Sequence, residues 1–324
     1  MAETYSAQKL IVDSLETIRL TDAARGTEVS ICPSLGNNAY DMRVKGHPIL
    51  MTPPPFAEWK RQESQAGIPF LSPWANRING DSYWANGKRY LVNPDAAEIR
   101  RDRDGLPIHG LLLFASEWQV AALDADSQAA QVTSRLEFWK YPKWMAQFPF
   151  AHSIEMSHRL SDGVLEVRTT IENHSTEPMP LVIGFHPWYQ IPGTPRDRWK
   201  VHAPVREHYT LSQKVIPTGE TAPANLPNPT PLAGRVVDDV FGGVDANSEF
   251  WLEGDGRRVS VRFGLKFPIA IVYAPQSHDV VCFEPMTGLT DGFNLAHQGI
   301  YKDLQSVPAG ATWTESFWIR PSGF

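Results

Sequence analysis

The sequence of 324 residues has little cysteine, no long apolar run and no excess of positive charge. Cys32 and Cys282 are far apart and form no CxxC pair, which favours a reducing compartment. No stretch approaches the ~18 consecutive apolar residues of a membrane-spanning helix, and the first residues lack the apolar core of a signal peptide. We therefore expect a soluble cytoplasmic protein with no membrane partner.

Charge and motif content also argue against several classes of function. Thirty Lys and Arg stand against 36 Asp and Glu, a net charge of -6, so no general positive field is available to bind nucleic acid. The basic run Arg100, Arg101 and Arg103 is interrupted by Asp102 and Asp104 and indicates a solvated turn. GxGxxG, GxxxxGK[ST], GxSxG and HExxH motifs are missing, so nucleotide binding and the common hydrolase mechanisms are not indicated.

Alternation of apolar and polar residues predicts an all-β fold. The segment VLEVRTTIE, residues 164–172, has the period of two expected of a half-buried strand, and similar runs occur at 257–264 and 312–319. Turn signals separate these runs and long periodic helices are scarce. We expect one antiparallel β-sandwich domain spanning residues 1–324.

Three segments depart from the strand pattern. Short helices are predicted at Phe56 to Gln65 and near the N-terminus. The segment PTGETAPANLPNPTP, residues 217–231, is interpreted as a surface loop because strand-like sequence lies on both sides of it.

Candidate functional residues stand in aromatic or Pro/Gly-rich segments. GFHPWYQIP places His186 two residues before Trp188, and GLPIHGLLL places His109 before an apolar run. Arg77 follows Asn76 beside a tight turn, and its guanidinium could bind ligand hydroxyls. Taken singly, Arg77 and His109 are more typical of structural residues, an arginine packed on Trp74 and a histidine satisfied within the fold.

Carboxylates form a second set of candidates. Glu284 ends an apolar run, where a carboxylate seldom occurs unless it is paired or used. Asp238 and Asp239 could bind a cation or sugar hydroxyls, or form an Asx-type turn. Cys282 shares a strand face with Glu284, but no nearby base is visible, so we interpret it as a packing residue rather than a nucleophile.

Together these residues suit a neutral polyol better than a phosphate. Carbohydrates stack on aromatic rings and present hydroxyls that Arg, Asp and His can bind. His109, His186 and Glu284 could instead form a metal triad, but the spacing of compact iron triads is missing and we expect no metal.

Five motifs point to a known family. NRINGDSYWANGKRYLVN, PIHG, GFHPWYQIP, VVDDVF and CFEPMTGLTDGFN occur in the order expected of aldose 1-epimerases, and the chain resembles this galactose mutarotase-like family from about Glu28 to Ile319. The resemblance implies a large antiparallel β-supersandwich with an open cleft. It also implies action on the anomeric carbon of an aldose, without metal or cofactor.

The resemblance assigns roles by position. His186 matches the general acid of the family and Glu284 its general base. Asp238 is favoured over Asp239 because the family's aspartate stands three places before a Phe, and Asp239 remains open. The residues expected around the sugar are Asn76, Arg77, His109, Trp188 and one aspartate of the pair, with Tyr189 beside Trp188. We further expect neighbouring carboxylates to raise the pKa of the imidazole modestly.

Two other functions fit the same motifs. A sugar-binding sandwich without catalysis would use the same arginine, histidine and aromatic residues. A hexose-6-phosphate mutarotase would add a clamp of cations, for which the candidates are Arg43, Lys45, Arg61 and Lys88. The protein is expected to act as a monomer or homodimer on a small-molecule sugar.

Three departures from better-known family members bear on the choice of sugar. They are a single glycine, Gly110, after His109, a tryptophan at position 74, and the extended Pro-rich segment before Asp238. All three are expected to lie around the cleft.

Overall fold

The computed structural model describes residues 4–62 and 64–324. Its strands, in chain order, are β1 Tyr5–Val12, β2 Leu15–Asp22, β3 Thr27–Cys32, β4 Asn38–Val44, β5 His47–Pro48, β6 Phe70–Leu71, β7 Ser82–Ala85, β8 Lys88–Leu91, β9 Gln119–Ala125, β10 Ala130–Glu137, β11 His152–Ser161, β12 Val164–Asn173, β13 Met179–Leu181, β14 Gly184–Phe185, β15 Lys200–His202, β16 Glu207–Leu211, β17 Pro217–Pro223, β18 Thr230–Pro231, β19 Val237–Gly242, β20 Glu249–Gly254, β21 Arg257–Phe263, β22 Ile269–Ala274, β23 Cys282–Met286, β24 Gln305–Val307 and β25 Thr312–Ser322. The helices are α1 Phe56–Gln62, α2 Pro142–Met145 and α3 Gly292–His297, with 3₁₀ turns at Phe138–Lys140 and Arg196–Arg198.

Antiparallel sheets build the fold. A nine-stranded sheet has the order β18-β15-β20-β21-β25-β12-β11-β10-β9, and a seven-stranded sheet has the order β17-β16-β19-β22-β23-β14-β6. A five-stranded sheet, β1 to β5 in sequence order, contacts the β9 to β11 side of the nine-stranded sheet. This architecture confirms the all-β prediction.

The two largest sheets pack face to face through aromatic side chains. Phe185 of β14 lies 4.8 Å from Phe317 of β25, measured between ring centroids. Phe283 of β23 lies 5.5 Å from Phe250 of β20 in the same way. These rings belong to one contiguous cluster of buried apolar residues. The face of the seven-stranded sheet that points away from this cluster is therefore available for a site.

The period-two segments are strands as predicted. Residues 164–172, 257–264 and 312–319 fall in β12, β21 and β25, which are neighbours in the nine-stranded sheet. In β12 the buried and more exposed positions alternate along the strand, which is the pattern expected where one face is packed and the other is solvated.

The predicted helix near the N-terminus is wrong. β1 and β2 form a hairpin, and the two residues between them, Asp13 and Ser14, both have positive φ, 47° and 68°. Two positive φ values define a type I′ turn, which suits the twist of two strands. The helix predicted from Phe56 spans Phe56–Gln62, and residue 63 lies outside the described part of the chain.

The Pro-rich segment is only partly a loop. Its first residues form β17 at the edge of the seven-stranded sheet, and Thr230–Pro231 forms β18 at the edge of the nine-stranded sheet. Proline is tolerated at such positions because one side of an edge strand needs no hydrogen bonds. In the described residues no helix is long and apolar enough to cross a membrane.

Candidate active site

Strand register brings the two predicted catalytic residues together. Gly184 of β14 lies opposite Met286 of β23 in an antiparallel pair. Counting two residues forward along one strand and two back along the other places His186 opposite Glu284. Directly opposite residues have their Cβ atoms about 5 Å apart on one face of a sheet. The observed distance from His186 Nε2 to Glu284 Oε1 is 3.3 Å.

The same register continues beyond the histidine. An antiparallel bridge joins Tyr189 to Val281, with backbone hydrogen bonds of 2.9 Å in both directions. Trp188 is therefore opposite Cys282, and the two side chains pack in one small apolar cluster. The prediction that Tyr189 stands beside the sugar is wrong, because this side chain is fully buried in the core and does not line the cleft.

Two further strands complete the floor of the cleft. On β22, Ile271 lies opposite Glu284 and Tyr273 lies opposite Cys282. On β19, Asp238 lies opposite Tyr273. These residues therefore project from the same face of the sheet as the His186–Glu284 pair.

Alternation along β19 separates the two neighbouring aspartates. Asp238 faces the cleft, at its solvent-accessible side. Asp239 points to the other face of the strand, where its Oδ1 lies 2.9 Å from Nε2 of His208. Asp238 therefore lines the cleft, whereas Asp239 lies outside it.

Loops in left-handed backbone conformations form the wall. Asn76 and His109 have φ values of 56° and 65°, and the His109 N–H donates to the Asn76 carbonyl over 2.9 Å. Asn and His are among the residues that tolerate this region best. Gly110 follows at φ 71°, and a Cβ there would lie 2.1 Å from the Ser72 carbonyl oxygen, so only glycine fits. His109 is thereby fixed with its ring 5.6 Å from that of His186.

A cavity of about 290 Å³ lies between this floor and wall. Among the residues that line it are seven of those predicted from the sequence, namely Asn76, Arg77, His109, His186, Trp188, Asp238 and Glu284. The lining also includes five that the sequence reasoning missed: Gln65, Arg100, Ile108, Ile271 and Tyr273.

Comparison with known proteins identifies the family. The sequence profile described as aldose 1-epimerase matches residues 16–320. The chain belongs to the aldose 1-epimerase family. YphB of Escherichia coli (strain K12) is 22% identical over 263 residues, which cover 77% of this chain and 82% of YphB.

Solved structures show the fold of the family. A galactose mutarotase-like protein from Clostridium acetobutylicum superimposes with a TM-score of 0.87 at 22% identity, over 99% of both chains. A GalM/aldose epimerase homologue from C. elegans superimposes with a TM-score of 0.72 at 13% identity, over 98% of this chain and 99% of that one. The predicted galactose mutarotase-like fold is confirmed, and family and fold together support a mutarotase-type role.

Aromatic rings pack against His186 of the His186–Glu284 pair. The rings of His186 and Trp188 are stacked at 5.0 Å with 7° between their planes. Tyr273 stands edge-on to both, 5.9 Å from each. Alternation along β22 is visible in the sequence and places Tyr273 on the same face as Ile271. Only the pairing of β22 with β23 shows that this face lines the cleft, which is why sequence reasoning missed Tyr273.

Burial shifts both members of the pair towards their neutral forms. It raises the pKa of Glu284 well above its ordinary value, and the charge of Asp238 adds to this, while Arg77 acts in the opposite direction. Burial lowers the pKa of His186 to about 3. The expected rise in the pKa of the imidazole is therefore wrong, because loss of water lowers the pKa most, the charge of Arg100 lowers it further, and only a backbone hydrogen bond acts in the opposite direction. Burial also lowers the pKa of His109 well below its ordinary value, with His186 contributing.

Several polar atoms in the cleft residues have no protein partner. Among the described residues, no hydrogen bond reaches His109 Nδ1, His186 Nδ1, Glu284 Oε2 or Trp188 Nε1, although each atom is buried. Most buried polar atoms in proteins are paired, and each exception needs an explanation, which in a cleft can be a bound water or ligand. The cleft is thus built to receive a polar molecule.

Other sequence expectations concern residues near the cleft. Trp74 is buried in the core, Gly110 packs on Ser72, and β17 lies at the far edge of its sheet, so none of the three family departures lines the cavity. Cys282 is fully buried and its thiol pKa is raised by that burial, which agrees with a packing role. Within residues 4–62 and 64–324, no group of three or more His, Cys, Asp and Glu is placed to hold a metal ion.

Proposed function

We propose that this family member is an aldose 1-epimerase, which interconverts the α and β anomers of a hexose by acid-base ring opening. One observation carries the proposal: the 3.3 Å approach of His186 Nε2 to Glu284 Oε1 at the floor of a cleft. Each of these side chains also has a second polar atom without a protein partner. An acid and a base can therefore reach the two oxygens that are bonded to the anomeric carbon.

The reaction needs one proton removed and one added. The base takes the proton of the anomeric hydroxyl, a carbonyl forms at that carbon, and its bond to the ring oxygen breaks as the acid protonates that oxygen. Rotation about the adjacent carbon–carbon bond presents the other face of the aldehyde, and ring closure runs the steps in reverse. No net proton is consumed, so no cofactor is needed to balance the reaction.

The pair needs only one exchangeable proton. When the proton is on the imidazole, Glu284 is the base and His186 the acid, as family position implies. Arg77 favours this distribution because its positive charge lowers the pKa of Glu284. Burial favours the opposite distribution, with a neutral imidazole and a protonated carboxyl. Binding of sugar hydroxyls to the carboxylate would move the balance towards the catalytic form.

The rest of the cleft suits a single sugar ring. Arg77, Asn76, His109 and Asp238 supply donors and acceptors for hydroxyls, and the faces of aromatic side chains supply an apolar wall. The volume of about 290 Å³ is at the lower end of the range of about 300–1,000 Å³ for small-molecule sites. We infer a monosaccharide rather than an oligosaccharide substrate.

The cations considered for a phosphate clamp lie elsewhere. Arg43 pairs with Asp41, Lys45 donates to the Phe324 carbonyl, and Lys88 pairs with Glu177. Arg61 is on α1, and none of the four lines the cavity. None of these four residues can therefore form a phosphate clamp in this cleft, whose lining arginines are Arg77 and Arg100.

Polarimetry of freshly dissolved α-glucose and α-galactose tests the proposal. The protein should accelerate the change in optical rotation, and His186→Asn should lose about 10²-fold or more of the catalysed rate while remaining folded. A faster reaction with glucose 6-phosphate than with glucose would favour the phosphorylated substrate. Binding of either sugar without acceleration would instead show a carbohydrate-binding protein and refute the enzyme.

A further inference from the structure

One buried carboxylate lies directly behind the sugar-binding side of the cleft. Asp102 was interpreted from the sequence as part of a solvated turn, but its side chain is only 6% exposed. Its Oδ2 accepts a hydrogen bond of 2.6 Å from Nε of Arg77. Asp102 itself does not line the cavity, so it can act on a ligand only through Arg77 or through its own loop.

The second oxygen of Asp102 holds the loop. Its Oδ1 accepts the backbone N–H groups of Asp104 and Leu106, each at 2.9 Å. The Asp102 N–H also donates to the Leu106 carbonyl over 3.0 Å. This small closed turn leads within three residues to His109, whose N–H donates to Asn76. One carboxylate thus connects the two segments that carry the wall of the cleft.

Within the described part of the chain, the hydrogen bonds of Arg77 use Nε and Nη1 and leave Nη2 for a ligand. Nε is used by Asp102, and Nη1 donates to Asn76 Oδ1 over 3.0 Å. Its backbone carbonyl is held by the N–H of Asp291 at 2.9 Å. A guanidinium is planar, so fixing Nε and Nη1 also fixes the direction of Nη2.

We propose that Asp102 is a positioning residue that aims the guanidinium of Arg77 at the sugar hydroxyls. This inference rests on the proposed function. The ion pair is largely shielded from water, with Arg77 17% exposed, which makes its geometry firmer than that of a surface pair. Burial by itself would raise the pKa of Asp102, but the hydrogen bonds from Arg77, Leu106 and Asp104 lower it, so the carboxylate stays charged at neutral pH.

The variant Asp102→Asn tests whether Asp102 positions Arg77 or only folds its own loop. The amide oxygen can still accept the N–H groups of Asp104 and Leu106, but the amide nitrogen is a donor and would face the Nε–H donor of Arg77. The turn is therefore kept while the arginine loses its acceptor. Asp104→Asn is the matched control, because the Asp104 side chain is on the same turn and, among the residues that the structure describes, contacts only the exposed Arg103, in an ion pair of 3.6 Å.

The test is a double-mutant cycle measured by polarimetry, with KM and kcat determined separately for the hexose that reacts fastest. Asp102→Asn should raise KM about 10- to 100-fold and change kcat less than about threefold. The same substitution in an Arg77→Ala background should add little. An unchanged KM, an effect that is undiminished without Arg77, or an equal effect of Asp104→Asn would overturn the inference.

Two further measurements keep the result unambiguous. If Asp102→Asn fails to show a cooperative thermal transition, Asp102→Glu replaces it, since it keeps the charge at a different reach and should also raise KM. If the wild-type protein accelerates no anomer exchange, the proposed function fails. In that case the Kd values of galactose and glucose are measured by calorimetry for the wild type and the same variants. A 10- to 100-fold higher Kd in Asp102→Asn than in the wild type would support the positioning role of Asp102, and equal Kd values would refute it.

Discussion

Under the proposed function, replacing Glu284 with glutamine should slow the reaction and, at neutral and alkaline pH, make the folded protein more stable. The side chain is 2% exposed, and Oε1 lies 3.3 Å from His186 Nε2. Glutamine has nearly the same shape but cannot exchange a proton. We expect the catalysed rate to fall about 10²- to 10⁴-fold, the usual contribution of a positioned acid or base.

Stability should move in the opposite direction, and the sign follows from the pKa shift. Burial raises the pKa of Glu284 above its ordinary value of 4.5. A group with a raised folded-state pKa contributes stability below its unfolded pKa, and that stability is lost as pH rises through the folded value. Wild type should therefore lose up to about 1.4 kcal/mol of unfolding free energy for each pH unit in that window, and Glu284→Gln should not.

Urea unfolding at pH 4, 6 and 8, together with polarimetry, checks both expectations. The variant should match the wild type at pH 4 and be the more stable protein at pH 8. Glu249→Gln is the control, because Glu249 is exposed on β20 in the other large sheet. Wild-type acceleration by Glu284→Gln would refute its catalytic role. Equal stability of both proteins at every pH would refute the argument from burial.

Two further predictions use neighbouring residues as matched pairs. Asp238→Asn should raise KM several-fold in polarimetric assays, whereas Asp239→Asn should leave it unchanged because that side chain faces His208; equal effects would contradict the assignment. Gly110→Ala should cost about 2–4 kcal/mol in urea unfolding, because its Cβ would meet the Ser72 carbonyl. Gly105→Ala, with φ 75° and open space, should cost about 1 kcal/mol, and a similar loss in both would exclude the steric cause.

The sequence predicted the fold class well because alternation is a local property. In β12 every second side chain is buried, and this is visible in nine letters. The hairpin of β1 and β2 was missed because its turn, Asp13–Ser14, lacks the glycine that marks most type I′ turns. β17 was missed because proline argues against strands except at edges, and edge position is a property of the whole sheet.

The candidate site was only partly predictable. His186 and Glu284 were found through family motifs, but their contact depends on the register of β14 with β23, which no local pattern gives. The choice between Asp238 and Asp239 likewise needed the face that β19 turns to the cleft. Asp102 could not be recognised, because a run of alternating charges has the same composition whether it is solvated or buried behind an arginine.

Under the proposed function, strands and loops carry different parts of the cleft, so the contacts to the sugar can change while the reacting residues stay in place. His186, Glu284, Tyr273 and Asp238 are fixed by the register of one sheet, which cannot shift by one residue without turning core side chains to the solvent. Arg77 and His109 are carried by loops, whose shape depends on local turn chemistry such as that of Asp102. Changes in these loops can alter recognition without displacing the acid and the base. Under the proposed function, recognition of the hexose therefore depends on the wall of the cleft together with Asp238, whereas the reaction depends on His186 and Glu284 of its floor.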